Sequence, residues 1–232
     1  MTPFSLTEID AVVFDVIGTL VDEDAVVVDA ARRLAADTGV TSASSLRDRW
    51  VAALDTAMAA VVTESAPWRP HARLVAEAAR DAVTALGGTW GDAAEAVAAS
   101  VDVAYAAWPE VPDATAALRE HVLVAALSNG DLDALARVAH AQRLCWDVVL
   151  STGAVGTFKP AARAYLHVID TLRLEPSRTL FVAAHPWDLR AAAGHGFRTA
   201  YVARPGAERP TADDRVDVEV EDLTGLVAAL SG

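Results

Sequence analysis

Short apolar runs that alternate with amphipathic stretches dominate the second half of the chain. These runs are too short for helices and are rich in β-branched and aromatic residues, a pattern typical of buried strands. Five strands are predicted at 11–15, 122–127, 147–150, 179–183 and 199–202, and a sixth at 216–220. Helical patterns alternate with them at 132–140, 161–172, 187–195 and 223–230. This alternation predicts an α/β fold with a Rossmann-like, doubly wound parallel sheet covered by helices on both faces.

The segment between the first two predicted strands has a different pattern. From 21 to 110 the chain shows no strand signal and is helical in composition, and it is far longer than a single crossover connection. Helices are predicted at 22–37, 44–63, 70–86 and 91–107, separated by Gly- or Pro-containing breaks. We therefore predict a core domain formed by residues 1–20 and 110–232, with a helical cap domain, residues 21–109, inserted after the first strand.

Composition narrows the classes of protein to which the chain can belong. Hydrophobic residues make up 53% of its 232 residues, but charges interrupt every apolar run, so no membrane span is expected. Nineteen Lys and Arg against 32 Asp and Glu give a net charge of −13, which argues against nucleic-acid partners. The single cysteine, Cys145, excludes a disulfide framework within the chain. No basic and apolar leader is visible, so we expect a cytoplasmic protein.

Candidate chemistry follows the predicted strands. Ligands of open α/β sheets bind beyond the carboxyl ends of the strands. Asp15 ends the first strand, Ser128 and Asn129 end the second, Lys159 lies in the loop after the third, and Asp188 follows the fourth. Taken singly, each has an ordinary structural explanation, such as a helix cap or a solvated side chain. Their joint occurrence at the ends of consecutive strands predicts a functional site.

Together these segments resemble the haloacid dehalogenase-like hydrolase superfamily, most closely its type II L-2-haloacid dehalogenase branch. The matching pieces are the sequences FDVIGTL at 14–20, LSNG at 127–130, Lys159-Pro160 with Tyr165 after them, and FVAAHPWDL at 181–189. The resemblance implies that Asp15 is a nucleophile, that the helical insert is a small cap, and that no cofactor is needed. It implies a small anionic organic substrate, a 2-haloacid, and is compatible with a homodimer.

Residue types suggest a role for each side chain. As a carboxylate, Asp15 can displace halide and form an ester that water then hydrolyses. The positive charge of Lys159 keeps that nucleophile ionised. Hydrogen bonds to the nucleophile or to the substrate carboxylate are assigned to Thr19, Ser128 and Asn129. We expect Asp188 and His185 to orient Lys159 or to act on the hydrolytic water. The walls of the pocket are assigned to Ile17, Tyr165 and Trp187.

Two alternatives remain open at this stage. A Mg²⁺-dependent phosphatase of the same superfamily usually carries a second Asp two residues after the nucleophile, to protonate the leaving alcohol. Ile17 stands there, which favours carbon–halogen displacement because halide leaves without a proton. The second alternative is a protein that keeps the scaffold and binds a ligand without hydrolytic turnover. Mg²⁺ is a cofactor only under the phosphatase alternative, and otherwise no metal site is expected.

The chain also departs from the family pattern in its cap. Family members carry an Arg directly after a cap Trp, to bind the substrate carboxylate or the halide, but Val51 follows Trp50 here. Arg47 lies one helical turn before that position on the same face, whereas Arg49 points away, so Arg47 is a candidate substitute. Arg69, which follows Pro67 and Trp68, is another. The remaining histidines, His71 among them, are interpreted as surface or helix residues, and the acidic run 22–24 as solvated.

Overall fold

A computed structural model gives the structure, and it describes residues 8–214 and 216–231. Within these residues the chain forms one six-stranded sheet and one two-stranded ribbon. The strands of the sheet are β1 (Ala11–Phe14), β4 (Leu123–Ser128), β5 (Val148–Ser151), β6 (Thr179–Ala183), β7 (Arg198–Val202) and β8 (Val218–Val220), and those of the ribbon are β2 (Val21–Asp22) and β3 (Ala106–Ala107).

All neighbouring strands of the large sheet run parallel, in the order β5-β4-β1-β6-β7-β8. The predicted doubly wound parallel sheet is therefore confirmed. Strand β1 lies between β4 and β6, so whatever follows Phe14 emerges at the middle of the carboxyl edge. Successive strands are added on one side of β1 up to β5 and on its other side from β6 onward. Ligands bind at such a switch point in open α/β sheets.

Helices cover both faces of the sheet. In chain order they are α1 (Glu23–Thr38), α2 (Ala43–Val62), α3 (His71–Ala85), α4 (Asp92–Ser100), α5 (Val111–Leu118), α6 (Leu132–Gln142), α7 (Ala162–Leu172), α8 (Pro186–Gly194) and α9 (Leu223–Ser231). Alternate side chains of β1 enter different cores. Phe14 packs in the cluster that contains Leu118 and Leu135, whereas Val13 packs with Val168 and Leu189. Burial on both faces explains why the strands read as continuous apolar runs.

Helices α1 to α4 form a layer beside the carboxyl edge of the sheet, between β2 and β3. The expectation of an unbroken helix over 91–107 is wrong: α4 ends at Ser100, and a short 3₁₀ turn, Val101–Val103, precedes β3. Strand β3 pairs antiparallel with β2. Two residues per strand are too few to produce a period-two pattern, which is why the sequence showed no strand here.

The two ends of this helical layer lie side by side. The β2–β3 ribbon joins them, and the Trp108 N–H donates to the Leu20 carbonyl at 3.1 Å. This arrangement supports the prediction that residues 21–109 are an inserted unit. None of the helices in the described part of the chain is long and apolar enough to cross a membrane.

Candidate active site

Asp15 occupies the centre of the carboxyl edge, directly after β1. Its backbone N–H donates to the Val182 carbonyl at 3.0 Å, which continues the pairing with β6 and fixes the direction of the side chain. The carboxylate is 4% exposed, and each oxygen accepts a hydrogen bond. Lys159 Nζ donates to Oδ1 at 2.7 Å, and Thr19 Oγ1 donates to Oδ2 at 2.6 Å. The sequence therefore places a buried, oriented carboxylate where ligands are expected.

Lys159 lies between two carboxylates. Its Nζ is 2.7 Å from Asp15 Oδ1 and 2.5 Å from Asp188 Oδ2, and the side chain is almost completely buried. Asp188 in turn accepts from the Tyr165 hydroxyl through Oδ1 at 2.6 Å. The Lys159 backbone N–H donates to Asn129 Oδ1 at 2.7 Å, so the loop after β5 is held by a residue at the end of β4. Asn129 thus positions Lys159, in addition to lining the cavity beside it.

The turn between β1 and β2 orients the hydroxyl of Thr19. The backbone N–H of Ala184 donates to Thr19 Oγ1 at 2.9 Å, which directs the hydroxyl hydrogen toward Asp15. Gly18 precedes it with φ of 79°, in the left-handed region that favours glycine. A Cβ at Gly18 would lie 2.7 Å from His185 Nε2, so a side chain there would also displace the imidazole.

The network keeps Asp15 ionised despite its burial. Burial by itself raises the pKa of Asp15, but the Lys159 ammonium, with help from His185 and Thr19, lowers that pKa below its usual 3.8. Burial likewise opposes the charge on Lys159, yet Asp15 and Asp188 raise the pKa of its ammonium. The pKa of Asp188 is raised, mainly by burial. Asp15 is therefore an anion throughout the physiological range, and Asp188 is the more basic carboxylate of the two.

His185 lies on the other side of the Asp15 carboxylate. Its Nε2 lies 3.1 Å from the Ile17 carbonyl and 3.7 Å from Asp15 Oδ2. Because a carbonyl oxygen only accepts, this hydrogen bond requires a proton on Nε2. The nitrogen nearest Asp15 is therefore a donor, and the imidazole stacks on Trp187 with ring centroids 5.8 Å apart.

A cavity of about 160 Å³ opens directly on Asp15. It joins side chains of the strand ends to side chains of the helical layer. Those from the core are Asp15, Ile17, Ser128, Asn129, Lys159, His185 and Trp187, and those from the helices are Glu23, Asp55, Met58 and His71. The cavity is large enough for a small organic acid, and a wider depression of about 410 Å³ beside Met58 and Trp187 leads to it.

The comparisons with known proteins agree with this geometry. Residues 9–196 match the family described as haloacid dehalogenase-like hydrolase. The chain belongs to the haloacid dehalogenase-like hydrolase family. It is 33% identical over 210 residues to the (S)-2-haloacid dehalogenase of Xanthobacter autotrophicus, which covers 86% of this chain and 77% of that protein.

Two further relatives and two solved structures similar to this chain are also named as 2-haloacid dehalogenases. An (S)-2-haloacid dehalogenase of Pseudomonas sp. (strain YL) is 35% identical over 125 residues, or 53% of this chain. The chain spans about half the length of this relative and of its Pseudomonas putida counterpart, 54% and 53%. Among solved structures, a defluorinating L-2-haloacid dehalogenase is similar over 100% of both chains, with a TM-score of 0.86 and 27% identity. The L-2-haloacid dehalogenase from Xanthobacter autotrophicus superposes with a TM-score of 0.83 at 25% identity, over 97% of this chain and 99% of that one.

Not every predicted residue of this family member reaches the cavity. Tyr165 is fully buried behind Lys159 and acts on the site only through Asp188. Arg47 lies in a neighbouring depression and forms ion pairs with Asp24 and Asp48. The face of α2 that meets Asp15 carries Asp55 and Met58 instead. The structure thus does not bring Arg47 to the cavity that opens on Asp15, because Asp24 and Asp48 hold its guanidinium outside it.

Sequence reasoning missed the contribution of the helical layer. His71, expected to be a surface or helix residue, begins α3 but is only 3% exposed, and its Nδ1 lies 2.9 Å from Asp102 Oδ2. Glu23, expected to be solvated, is half-buried and lines the cavity with Asp55. No spacing in the sequence links His71 to Asp102, since helix packing brings them together over 31 residues. The sequence signal that concerns His71 was its place directly after Pro70, which marks the start of a helix and not a buried site.

Magnesium, which phosphatases of this superfamily use, does not fit the residues present. A divalent ion takes several oxygen ligands, and bridging carboxylates are its usual partners. Here the Lys159 ammonium lies between Asp15 and Asp188, and the Tyr165 hydroxyl takes the other oxygen of Asp188. Within residues 8–214 and 216–231, no group of three or more His, Cys, Asp or Glu side chains is arranged to hold a metal ion.

Proposed function

We propose that this protein hydrolyses the carbon–halogen bond of a small (S)-2-haloacid through a covalent ester on Asp15. The observation that carries the proposal is the buried Asp15 carboxylate at the cavity wall, kept ionised by Lys159 at 2.7 Å. Its relatives named as (S)-2-haloacid dehalogenases support the choice of substrate. A desolvated carboxylate beside a fixed cation is a group suited to attack an electrophilic carbon.

The reaction balances in two steps. In the first, an Asp15 carboxylate oxygen forms a bond to carbon 2, and the electron pair of the carbon–halogen bond leaves with the halide. In the second, water adds to the Asp15 ester carbonyl, the ester C–O bond to the product breaks, and Asp15 is regenerated. The sum is haloacid and water giving 2-hydroxyacid, halide and one proton. The two-step route replaces one difficult displacement by water with two easier steps.

The remaining strand-end residues take complementary roles in this scheme. Lys159, Ser128 and Asn129 line the cavity beside Asp15 and receive the substrate carboxylate. Thr19 orients the attacking carboxylate. Once Asp15 is an ester it is neutral, and Asp188 is then the carboxylate left on Lys159. Asp188 does not line the cavity, and its two oxygens accept from Lys159 and Tyr165, so we assign it the role of holding Lys159 in place.

His185 acts as a donor in this scheme. Its Nε2–H bonds the Ile17 carbonyl and faces Asp15 Oδ2 at 3.7 Å, so that nitrogen has no lone pair to take a proton from water. The imidazole therefore steadies the negative charge on Asp15 and, with Trp187, closes one side of the cavity. Ile17 supplies an apolar wall.

Residues 21–109 serve as the cap of this site. The helices of this segment provide Glu23, Asp55, Met58 and His71 to the cavity wall, which excludes water from the carbon under attack. A homodimer and a cytoplasmic location stay predictions, tested by the molar mass in solution and by fractionation of the source cells.

A single turnover in ¹⁸O-water tests the ester. With enzyme in excess over 2-chloropropionate, the label is expected first in the Asp15 carboxylate, since water attacks the ester carbonyl. Mass spectrometry of the Asp15 peptide detects it. Label that enters only the hydroxyacid would overturn the covalent route. In parallel, p-nitrophenyl phosphate with and without Mg²⁺ reports on the phosphatase alternative: chloride release in the absence of phosphate release is the expected result.

A further inference from the structure

The helical layer holds a buried group of ionisable side chains, one of which, His71, lines the cavity that opens on Asp15. His71 Nδ1 lies 2.9 Å from Asp102 Oδ2, and the Tyr105 hydroxyl donates to Asp102 Oδ1 at 3.3 Å. His71, Asp102 and Tyr105 are 3%, 5% and 3% exposed. The reaction scheme above gives His71 only a place in the cavity wall and gives Asp102 and Tyr105 no role. Burying an imidazole and a carboxylate together costs desolvation free energy, which their mutual attraction and hydrogen bonds must offset.

The position of His71 is fixed from the core as well as from its own helix. Asp131, which precedes α6, accepts hydrogen bonds from the backbone N–H groups of His71 and Ala72 at 3.1 and 3.0 Å. The imidazole also packs edge-on against Phe158, next to Lys159. With Nδ1 taken by Asp102, Nε2 is the remaining ring nitrogen, and it is a hydrogen-bond donor when the imidazole is protonated. A donor anchored at both ends, on the cavity wall, is pre-organised for a ligand.

The stereochemistry of displacement indicates which ligand atom meets this donor. A nucleophile attacks carbon from the side opposite the leaving group. Asp15 attacks from the strand ends, so the halide departs toward the helical layer. His71 lies there, on the wall of the cavity that opens on Asp15. Behind it, a second cavity of about 60 Å³ is lined by Val51, Tyr105, His71 and other side chains of the helical layer. It exceeds the ~30 Å³ that one water occupies in the liquid.

The charges around His71 favour its protonated form. Burial lowers the pKa of His71, but Asp102, followed by Glu23 and Asp131, outweighs this effect and raises that pKa above 6.5. The groups that face it are Asp102 and Tyr105 from the segment after α4, Glu23 from α1, Asp55 from α2, Asp131 before α6, and Asp15, Lys159 and His185 from the core. Burial raises the pKa of Glu23 and of Asp55, which weakens their repulsion of a departing anion.

We propose that His71, held by Asp102, stabilises the leaving group in this enzyme. Its imidazolium donates a hydrogen bond to the departing halide on the side of the cavity opposite Asp15. The inference rests on the proposed dehalogenase function. The imidazolium keeps its proton, and the halide leaves with the electron pair of the broken bond. The demand for such a donor is greatest for fluoride, whose charge is most concentrated, and smallest for bromide.

A leaving-group series tests the assignment. His71→Gln removes the charge and keeps a side chain able to reach Asp102, and His140→Gln, exposed on α6, is the matched control. We expect kcat of His71→Gln to fall about 100-fold on 2-fluoropropionate and less than about 10-fold on 2-bromopropionate, with KM within about twofold. A KM that rises equally for both substrates would assign His71 to the substrate carboxylate and overturn the proposal. So would kinetics equal to those of the control.

A binding measurement separates failure of this inference from failure of the proposed function. Bromide is titrated into wild-type protein while the pKa of the His71 imidazole is followed by NMR. Bound bromide is expected to raise that pKa, and its binding is expected to weaken as pH rises through it. An unchanged pKa overturns the inference even if the enzyme releases halide from haloacids. If no haloacid is turned over but bromide shifts His71, the halide site stands and the proposed reaction fails. The titration uses unmodified protein, so it decides the question even if His71→Gln does not fold.

Discussion

The two walls of the cavity hold charge in opposite ways. On the strand-end wall, Lys159 bridges Asp15 and Asp188, so one cation serves two anions and leaves one net negative charge for attack. On the helical wall, Asp102 pairs with His71, and the acids beside it have raised pKa values. In the proposed reaction, the first wall keeps an anion and the second wall receives one. This difference gives the proposed reaction a direction, from nucleophile to leaving group.

Removal of the nucleophile is the strongest test of that direction. Asp15→Asn is expected to lower kcat on the order of 10⁴-fold or more, because the amide cannot form the ester, while the fold is kept. Halide release and circular dichroism measure the two effects. Asp29→Asn, exposed on α1, is the matched control and should retain full activity. Substantial turnover by Asp15→Asn would mean that water attacks the substrate directly.

Removal of the shared cation comes next. Lys159→Met leaves the carboxylates of Asp15 and Asp188 buried without their shared cation, so the free energy of unfolding should fall by about 3–5 kcal/mol. Urea denaturation at pH 7 measures it. Arg73→Met, which breaks an exposed ion pair with Glu77, should change stability by less than about 1 kcal/mol.

The pH dependence of that loss has a definite sign. In the wild type Lys159 lowers the pKa of Asp15 against the effect of burial, so this stabilisation is present above pH 3.8 and is lost as pH falls through the lowered pKa. In Lys159→Met both carboxylates have raised pKa values and take up protons more readily. The deficit relative to wild type should therefore shrink between pH 7 and about pH 5. A constant deficit would show that lost packing, rather than charge, explains it.

The helical wall is tested by Asp102→Asn. Without that carboxylate, burial dominates and the pKa of His71 should fall below its ordinary 6.5, as NMR can measure. We expect kcat to fall about tenfold at a pH between the two measured pKa values of His71, that of the variant and that of the wild type. In the wild type, stabilisation by protonated His71 is full below pH 6.5 and is lost as pH rises through its raised pKa. Asp102→Asn should lose this dependence. An unchanged His71 pKa would remove the distinction between the two walls.

Tyr165→Phe probes the support behind the strand-end wall. It deprives buried Asp188 Oδ1 of its donor, so stability should fall by about 1–3 kcal/mol and kcat by less than about tenfold. Tyr201→Phe, which breaks a hydrogen bond to the Glu208 carbonyl, should lower stability by a similar amount with no effect on kcat. Equal kcat losses in both variants would mean that Tyr165 has no specific effect on the site.

The smallest effect is expected at Arg47. Its guanidinium pairs with Asp24 and Asp48 outside the cavity that contains Asp15, so Arg47→Ala and Arg49→Ala should each change KM by less than about twofold. Steady-state kinetics on 2-chloropropionate measure this. A rise in KM confined to Arg47→Ala would mean that Arg47 binds the anionic substrate, and it would weaken the case for His71.

The strand-end wall was predictable because its residues follow a rule of topology. Parallel strands bring their carboxyl ends to one edge, so Asp15, Ser128, Lys159 and Asp188 had to lie close together once the strands were recognised. Their hydrogen-bond partners could not be predicted in the same way. The sequence suggested Tyr165 as a pocket wall, whereas packing places it behind Asp188. The tautomer of His185 also depends on a carbonyl that no motif identifies.

The sequence by itself determined the parallel sheet, the order of its elements and the pairing of Asp15 with Lys159, because continuous apolar runs and strand-end residues are local features. Only the tertiary structure decided what faces Asp15. The packing of α1 to α4 makes His71 and Asp102 neighbours, turns Glu23 inward and leaves Arg47 outside. Contacts between helices depend on crossing angle and rotation about each axis, and a 3.6-residue pattern shows which face is buried without showing which side chains meet across it.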